Sequence, residues 1–287
     1  MAALQEIRAK VRTVQNMQRI THAMATVAQS KMRKVRERLY AARPYGEKVR
    51  MIATHLCQAH PEYRSPFLVR REPIKQVGLI LVTADKGMCG SLNANITRLA
   101  TTHLHEWAAN NVSTRVCAIG RKGLAAMRRA GANVASHAAG LGDTPSMDRL
   151  AQPVQEMLDA YAGGAIDALY LCYTRFLTSV AHKAVMEPLL PLGGDRLGSL
   201  SMPWDYLYEP DAKTIVNELL RSYVTALIYQ AVAESMASEQ SARMVAMKSA
   251  TDNAGRMLDD LRLMYNKTRQ AAITKEISEI VGGAAAV

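Results

Sequence analysis

The chain has 287 residues, of which 49% are hydrophobic and 21% charged, a composition typical of a folded protein. Its 36 Lys and Arg residues outnumber its 25 Asp and Glu residues, and the formal net charge is +11. No run of about 18 apolar residues occurs, which excludes an α-helix that spans a membrane. The four cysteines form no CxxC pair, metal-ligand spacing or disulfide framework, which indicates a reducing compartment.

Proline and glycine are scarce at both ends of the chain. All ten prolines lie between Pro44 and Pro210, the first glycine is Gly46, and only three of the 17 glycines follow Pro210. Proline destabilises a helix interior by about 3 kcal/mol and glycine by about 1 kcal/mol. Segments 1–43 and 211–281 are therefore predicted to form two very long helices. At about 1.5 Å per residue, the second would extend roughly 100 Å, too far for burial in one compact domain.

Both long segments carry apolar stripes at helical spacing. The first stripe runs through Leu4, Ile7, Val11, Val14, Met17, Ile20, Met24, Val27, Val35 and Leu39. The second runs through Met244, Met247, Thr251, Ala254, Leu258, Leu261 and Tyr265. Alternating steps of three and four are the heptad pattern of a coiled coil, so we expect the two helices to wind around each other. The alternative is that both stripes face the middle of the chain. The spacing alone leaves the relative direction of the helices open.

The middle of the chain alternates between strand and helix patterns. Strands are predicted at 77–83, 114–120, 133–137, 167–176 and 181–187, and helices at 92–109, 121–130 and 146–162. This alternation predicts a Rossmann-like α/β domain with a mainly parallel sheet and helices on its faces. The predicted domains are an N-terminal coiled-coil helix (1–58), a central α/β domain (74–192), a linker (193–210) and a C-terminal coiled-coil helix (211–287).

Positive charge is concentrated near the N-terminus. Residues 1–50 hold 12 basic and 3 acidic side chains, whereas residues 211–287 hold 9 of each. The basic side chains cluster at Lys31, Arg33, Lys34, Arg36 and Arg38. Such a run is usually a solvated helix face. The sharper interpretation is an acidic partner, either a protein or a nucleic-acid backbone.

Motifs for catalysis or cofactor binding are weak. The glycine-rich turn 85–91 lacks the third glycine of a dinucleotide fingerprint and the Gly-Lys-Ser/Thr ending of a P-loop, which favours a structural role. His103, His105 and Glu106 are not expected to bind a metal, because helix positions two apart face different directions. No HExxH, no GxSxG and no Cys/His pair with an orienting acid occurs. We therefore expect neither catalytic residues nor a cofactor.

Several segments resemble the gamma-subunit family of F-type ATP synthases, and the resemblance extends from about residue 3 to the C-terminus. The matching segments are 20–24, 30–34, 204–210, 239–253 and 273–286. The resemblance implies a rotor shaft whose antiparallel coiled coil stands inside a ring of three alpha and three beta subunits. The middle domain would contact the epsilon subunit and the ring of c-subunits. Rotation would drive the catalytic beta subunits through open, loose and tight states, and the chain itself would be non-catalytic.

The resemblance also implies contact residues. Beta-subunit contacts are expected at Met24, Arg243, Arg269, Gln270, Thr274 and Glu276. The basic side chains of Lys31, Arg33, Lys34 and Arg36 would face the acidic lever segment of the beta subunits. Tyr206 and Tyr208 are expected to face the c-ring and the epsilon subunit.

The chain departs from the family's chloroplast members in its middle segment. Segment 193–203 is short and lacks the cysteines of the chloroplast regulatory insertion, so thiol control is not expected. The family helix starts within the first few residues and leaves no room for a transit peptide. We therefore expect a bacterial chain, peripheral on the cytoplasmic face of the inner membrane.

Two alternative functions remain open. The chain could be a nucleic-acid-binding protein with a basic helical arm, or a small α/β enzyme that binds a phosphate at the turn 87–90.

Overall fold

The computed structural model describes residues 2–59, 65–142, 147–192 and 212–284. In chain order the elements are α1 (Ala2–Ala59), β1 (Gln76–Val82), α2 (Leu92–Ala109), β2 (Ser113–Ile119), α3 (Arg121–Arg129), β3 (Val134–Ala138), α4 (Met147–Ala162), β4 (Ala168–Phe176), β5 (His182–Leu190) and α5 (Ala212–Ala284). The chain divides into two compact units. Unit 1 comprises Met1–Gln29 and Arg243–Val287, and unit 2 comprises Ser30–Ala242. The predicted linker 193–210 lies outside the described residues.

Helix α1 continues through Pro44. The sequence predicted an uninterrupted helical segment over 1–43 within an N-terminal helix over 1–58, and α1 ends at Ala59. Proline removes one backbone hydrogen bond and destabilises a helix interior by about 3 kcal/mol. Beyond Pro44, however, Val49 and Ala53 are buried in the main core of unit 2. Burial of this apolar face offsets the local penalty and keeps the chain helical.

The central sheet confirms the predicted α/β class. Its strand order is β3-β2-β1-β4-β5, and only β5 is antiparallel to its neighbour. The connection from Phe176 to His182 is a short hairpin turn, and parallel strands need a crossover of a dozen or more residues. Strand β5 therefore reverses direction and forms one edge of the sheet.

Alternating side chains on the strands build a core on each face of the sheet. One core joins the sheet to α2 and α3, and it contains Leu79, Leu81, Ile96, Ala100 and Met127. The larger core joins the opposite face to α4 and to parts of α1 and α5, and it contains Ile80, Val82, Met157, Tyr161, Val224 and Val232. Successive strand residues point to opposite faces, which explains the alternation along β1.

Residues 231–242 of α5 are buried on every side of the helix. Three serines at steps of three, here called the serine ladder, bond this stretch to the backbone of β4 and its hairpin. Ser235 Oγ accepts from Thr174 N–H at 3.1 Å, and Ser238 Oγ donates to Thr174 O at 3.3 Å. Ser241 Oγ donates to Ser179 O. The ladder lets a polar helix segment lie in the interior, because its hydroxyls are paired.

Unit 1 is an antiparallel coiled coil. Tyr265 OH accepts a hydrogen bond from Arg8 Nε at 2.9 Å, and Thr251 Oγ1 donates to Thr21 Oγ1 at 2.8 Å. Between these contacts Val11 and Val14 cluster with Ala254, Leu258 and Leu261. As residue numbers rise along α1, those of their partners on α5 fall. The structure thereby sets the helix direction that the heptad spacing left open.

The predicted stripe of α1 is wrong at three positions. Met17, Ile20 and Val27, here called the outer stripe, are 55%, 60% and 52% exposed. The predicted Leu4, Ile7, Val11 and Val14 do turn toward α5, and in place of the outer stripe the seam continues through Gln18, Thr21, Ala25 and Ala28. These positions continue the alternation of three and four without interruption. The geometry of a long heptad seam therefore outweighs the polarity of Gln18 and Thr21.

Candidate partner-binding surfaces

The predicted contact residues occupy both units and do not form one cluster. Unit 1 contains Met24, Arg243, Arg269, Gln270, Thr274 and Glu276, and unit 2 contains Lys31, Arg33, Lys34 and Arg36. Tyr206 and Tyr208 lie outside the described residues.

The last turns of α5 combine predicted polar contacts with exposed isoleucines. Arg269, Gln270, Thr274 and Glu276 are all exposed. At about 100° per residue, these four side chains lie on one side of the helix. Ile273, Ile277 and Ile280 lie between them and are 46%, 55% and 71% exposed. We call these seven residues the end surface. An apolar strip bordered by polar groups is typical of a surface that binds another protein.

The end surface lies on a part of α5 that α1 does not reach. Arg8 is opposite Tyr265, so the first residue of α1, Ala2, comes opposite a position near the start of the end surface. Every described side chain from Ile273 onward is exposed. Most of the end surface therefore has no covering helix in the part of the chain that the structure describes.

Met24 and Arg243 differ from the end surface in exposure. Met24 is half-buried on α1, beside the outer stripe. Arg243 is only 7% exposed, so most of its side chain is covered within the chain. The motif match gave no sign of this burial, because a charged residue on a long helix is usually solvated.

The basic run of α1 does not form a single face. Lys31 and Lys34 lie on one side of the helix, and Arg33 and Arg36 lie on another. Lys31 is half-buried, whereas Lys34 is exposed. Arg33 is exposed and forms an ion pair with Glu37, one turn away, at 3.5 Å. An exposed pair of this kind contributes little stability, about 0.5 kcal/mol.

Arg36 differs from the other basic side chains because it lies against aromatic rings. Its guanidinium carbon is 5.9 Å from the Tyr40 ring centroid and 5.7 Å from that of Phe176. These distances are within cation–π range. Arg36 is therefore half-buried at the sheet and not directed freely into solvent.

The glycine-rich turn is engaged within the protein. Asp85 Oδ1 accepts from Arg121 N–H at 3.0 Å, and Asp85 Oδ2 accepts from Leu141 N–H at 3.0 Å. A carboxylate of the turn thus accepts a hydrogen bond at the N-terminus of α3 and ties the turn to that helix. Cys89, within the turn, packs against Ala242 of α5. The turn therefore has a structural role in the fold.

The other candidates for chemistry are explained locally. His103 Nδ1 lies 2.8 Å from a Glu106 carboxylate oxygen, one helical turn away. Among the described residues, no three His, Cys, Asp or Glu side chains are grouped as metal ligands. Burial raises the pKa of the Cys117 thiol to about 11 and that of Cys172 to about 12. Within the same described ranges, no helix is both long and apolar enough to cross a bilayer.

Comparison with known proteins identifies the family. A family model described as ATP synthase matches residues 3–287. The chain is 56% identical to the ATP synthase gamma chain of Azoarcus sp. (strain BH72), over the whole length of both proteins. The chain belongs to the ATP synthase gamma chain family. The resemblance found in the sequence is thereby confirmed.

Solved structures share the fold of this gamma-family chain. A chain from the central stalk and c-ring of the Tetrahymena thermophila mitochondrial ATP synthase is 25% identical with a TM-score of 0.61, and the match covers 80% of this chain and 99% of that one. A chain of the Euglena gracilis mitochondrial ATP synthase is 19% identical with a TM-score of 0.69, covering 99% of this chain and 94% of that one. The second match includes both long helices and the sheet.

Proposed function

We propose that this chain is the central rotor shaft of a bacterial F-type ATP synthase. It would turn with the c-ring during proton flow and force the catalytic beta subunits through their conformational cycle, and ATP hydrolysis would turn it in reverse. The chain itself would carry no catalytic residue. Support comes from the full-length family match and from the central-stalk assignment of a structural neighbour.

Exposed apolar surface on unit 1 is the observation that favours a shaft surrounded by a ring of other subunits, here called the sleeve. The outer stripe of α1 and the isoleucines of the end surface are each about half exposed or more. Soluble proteins rarely leave such contiguous apolar surface open to water unless it binds a partner. Burying one such side chain contributes about 1.5–3 kcal/mol. A ring of three alpha and three beta subunits around the coiled coil would cover these positions.

The polar contact residues would hold the shaft without fixing it. In this proposal Arg269, Gln270, Thr274 and Glu276 form a catch with beta-subunit loops, and Met24 and Arg243 meet the beta subunits lower on the shaft. Lys31, Arg33, Lys34 and Arg36 would attract the acidic lever segment. Each exposed pair contributes about 1 kcal/mol or less, which permits contacts that form and break as the shaft turns.

Unit 2 would provide the foot of the rotor. Residues 74–192 and the linker 193–210, with Tyr206 and Tyr208, would contact the epsilon subunit and the c-ring. Residues 1–58 and 211–287 would form the shaft. The chain would then associate with the membrane only through the complex, on the cytoplasmic face of the bacterial inner membrane. No nucleic acid is required for this role.

Reconstitution with alpha and beta subunits from the same source tests the proposal. We expect one copy of this chain for every three alpha and three beta subunits, and a Mg-ATPase activity well above that of the alpha–beta mixture. Failure to join the complex, together with unchanged activity, would exclude the shaft role. Salt-dependent binding of DNA by the isolated chain would instead support the nucleic-acid alternative.

A triple variant of the outer stripe tests the sleeve directly. Replacing Met17, Ile20 and Val27 by Ser should leave the isolated chain folded, because these side chains are exposed. The same variant should lower assembly with alpha and beta subunits at least about tenfold, since apolar contact is lost. The matched control carries Asn16→Ser, Arg19→Gln and Thr26→Ser at exposed polar positions of the same helix. Equal assembly of the two variants would contradict the sleeve.

A further inference from the structure

A cavity in unit 2 brings an acid and a base from different helices together. Its volume is about 300 Å³, and it lies between α1, the β4–β5 hairpin and α5. Arg36 and Tyr40 of α1, Phe176 of β4 and Glu234 of α5 all line it. Arg36 and Glu234 are the only charged residues in this lining. Two opposite charges therefore line the same cavity.

Glu234 is buried and only half satisfied. The residue is 9% exposed, and its Oε1 accepts a hydrogen bond from Gln230 Nε2 at 3.1 Å. Its Oε2 is buried and has no hydrogen-bond partner among the described residues. Leaving a buried polar atom unpaired costs about 1–3 kcal/mol, and more when the group is charged. A cation that can reach this oxygen would remove most of that cost.

Arg36 is a cation that forms no ion pair with any described acidic side chain. Its guanidinium lies over the Phe176 and Tyr40 rings, and no described acidic side chain is within ion-pair distance of it. A cation–π contact at a partly exposed site contributes about 0.5–1 kcal/mol. A charge-assisted hydrogen bond to a carboxylate is stronger than that. The cation–π contacts of Arg36 are thus weak enough that the guanidinium can leave them for a hydrogen bond to a carboxylate.

The other nearby arginine, Arg175, already has an acidic partner. Arg175 lines a neighbouring groove that also contains Glu234. Arg175 Nη2, however, forms an ion pair with Glu187 and donates to Tyr173 OH at 3.1 Å. Breaking these contacts to reach Glu234 would leave Glu187 without its arginine. Arg36 can move without such a loss.

We propose that Arg36 and Glu234 form a latch between α1 and α5. The guanidinium alternates between the aromatic position over Phe176 and an ion pair with Glu234 Oε2 inside the cavity. When the latch closes, one cation leaves the basic run of α1, and the buried carboxylate is satisfied. An acidic partner that binds Arg36 from outside would compete with Glu234. The latch belongs to the isolated chain, so it does not depend on the proposed rotor function.

A double-mutant cycle on the full chain tests the latch. The variants are Arg36→Gln, Glu234→Gln and their combination, and urea unfolding is followed by the fluorescence of Trp107 and Trp204, both in unit 2. The two substitutions should be non-additive, with a coupling of roughly tenfold in the unfolding equilibrium constant. The matched control combines Arg33→Gln with Glu234→Gln, and it should be additive because Arg33 is exposed and does not line the cavity.

Three outcomes would overturn the latch. Additivity between Arg36 and Glu234 would show that the charges do not meet. A larger coupling of Glu234 with Arg175→Gln would assign the acid to the other base. An increase in stability from Glu234→Gln alone would show that the buried acid has no cationic partner.

A measurement on the unmodified chain keeps the test independent of variant folding. Proton exchange at Arg Nε–H can be followed by NMR for each arginine. The Nε–H of Arg36 should exchange at least about tenfold more slowly than that of Arg33, because the latch hides it from water. Equal exchange at the two positions would also overturn the proposal.

Discussion

One helix, α5, passes through two opposite environments. Residues 231–242, in unit 2, are buried on all sides although they include Ser235, Glu239 and Gln240. Residues 273–284, in unit 1, are exposed wherever the side chain is described, although they include three isoleucines. Hydrophobicity therefore does not decide burial here. The serines of the polar stretch lie in the interior because backbone groups of β4 and its hairpin pair with their hydroxyls, and the apolar stretch is exposed because nothing in the described chain covers it.

Hydrogen exchange should show the largest difference between the two stretches. In the isolated chain, the amides of 273–284 should exchange at least about 100-fold faster than those of 231–242, since a single exposed helix end opens locally. Mass spectrometry of peptic peptides gives both rates in one experiment. Of these two stretches, addition of alpha and beta subunits should slow exchange in 273–284 and leave 231–242 unchanged. Equal protection of the two stretches in the isolated chain would remove the contrast.

Dense packing in unit 2 should make it sensitive to a single methyl group. Gly120 has φ +97°, and an added Cβ would lie 2.2 Å from Thr83 O. Gly120→Ala should lower the free energy of unfolding by more than about 3 kcal/mol, because both the backbone angle and the contact are forbidden. The control is Gly131→Ala, where φ is +71° but nothing lies within 4 Å.

Urea unfolding followed by far-UV circular dichroism compares the two glycine variants. The control should lose only about 1 kcal/mol, the cost of the backbone angle alone. Equal losses would mean that the approach to Thr83 is not tight.

In unit 1, substitutions at two adjacent residues, one in the seam and one on the outer face, should differ in their effect on stability. Leu258 is 4% exposed and Met257 is 54% exposed. Leu258→Ala should lower the stability of the coiled coil in the isolated chain by about 2 kcal/mol, whereas Met257→Ala should change it by less than about 0.5 kcal/mol. Thermal unfolding followed at 222 nm measures both. Similar losses would show that the exposed side is also packed in the isolated chain.

The smallest effect at neutral pH concerns the buried thiols. Burial raises the pKa of Cys117 to about 11 and of Cys172 to about 12, above their ordinary value. In the folded chain both thiols therefore stay protonated at pH 8 and should not react with a thiol reagent until the chain unfolds. Because the unfolded thiols ionise first, their contribution to stability is complete below pH about 9 and is lost as the pH rises toward 11–12. Rapid labelling of Cys117 or Cys172 in the folded chain at pH 8 would contradict this burial.

Much of the fold was predictable because its signals are local. The scarcity of proline and glycine predicted both long helices, and alternation of strand and helix patterns predicted the sheet. The reason that α1 stays helical through Pro44 was not predictable, since it depends on tertiary burial of Val49 and Ala53. The seam at Gln18 and Thr21 was missed for a similar reason, because a pattern of apolar residues cannot register a polar seam position.

The candidate surfaces were predicted less completely. Motif matching indicated the four polar residues of the end surface, which the structure places together on one helix side, but not its three isoleucines. It gave no indication that Arg243 is buried or that Arg36 lies on aromatic rings. Both facts arise from packing between segments far apart in the chain. Glu234 was not singled out at all, because an isolated glutamate on a helix carries no motif.

The hydrogen bond between Thr21 and Thr251 has a consequence for how the two helices are aligned along their length. A slip of one heptad would place Thr21 opposite Met244 or Leu258, and neither residue has a hydroxyl that could donate to Thr21 Oγ1. Apolar seams alone tolerate such sliding, whereas the contact between the two hydroxyls forms in only one alignment. The two threonines thus favour one register, and that register sets how far each helix end extends beyond the other.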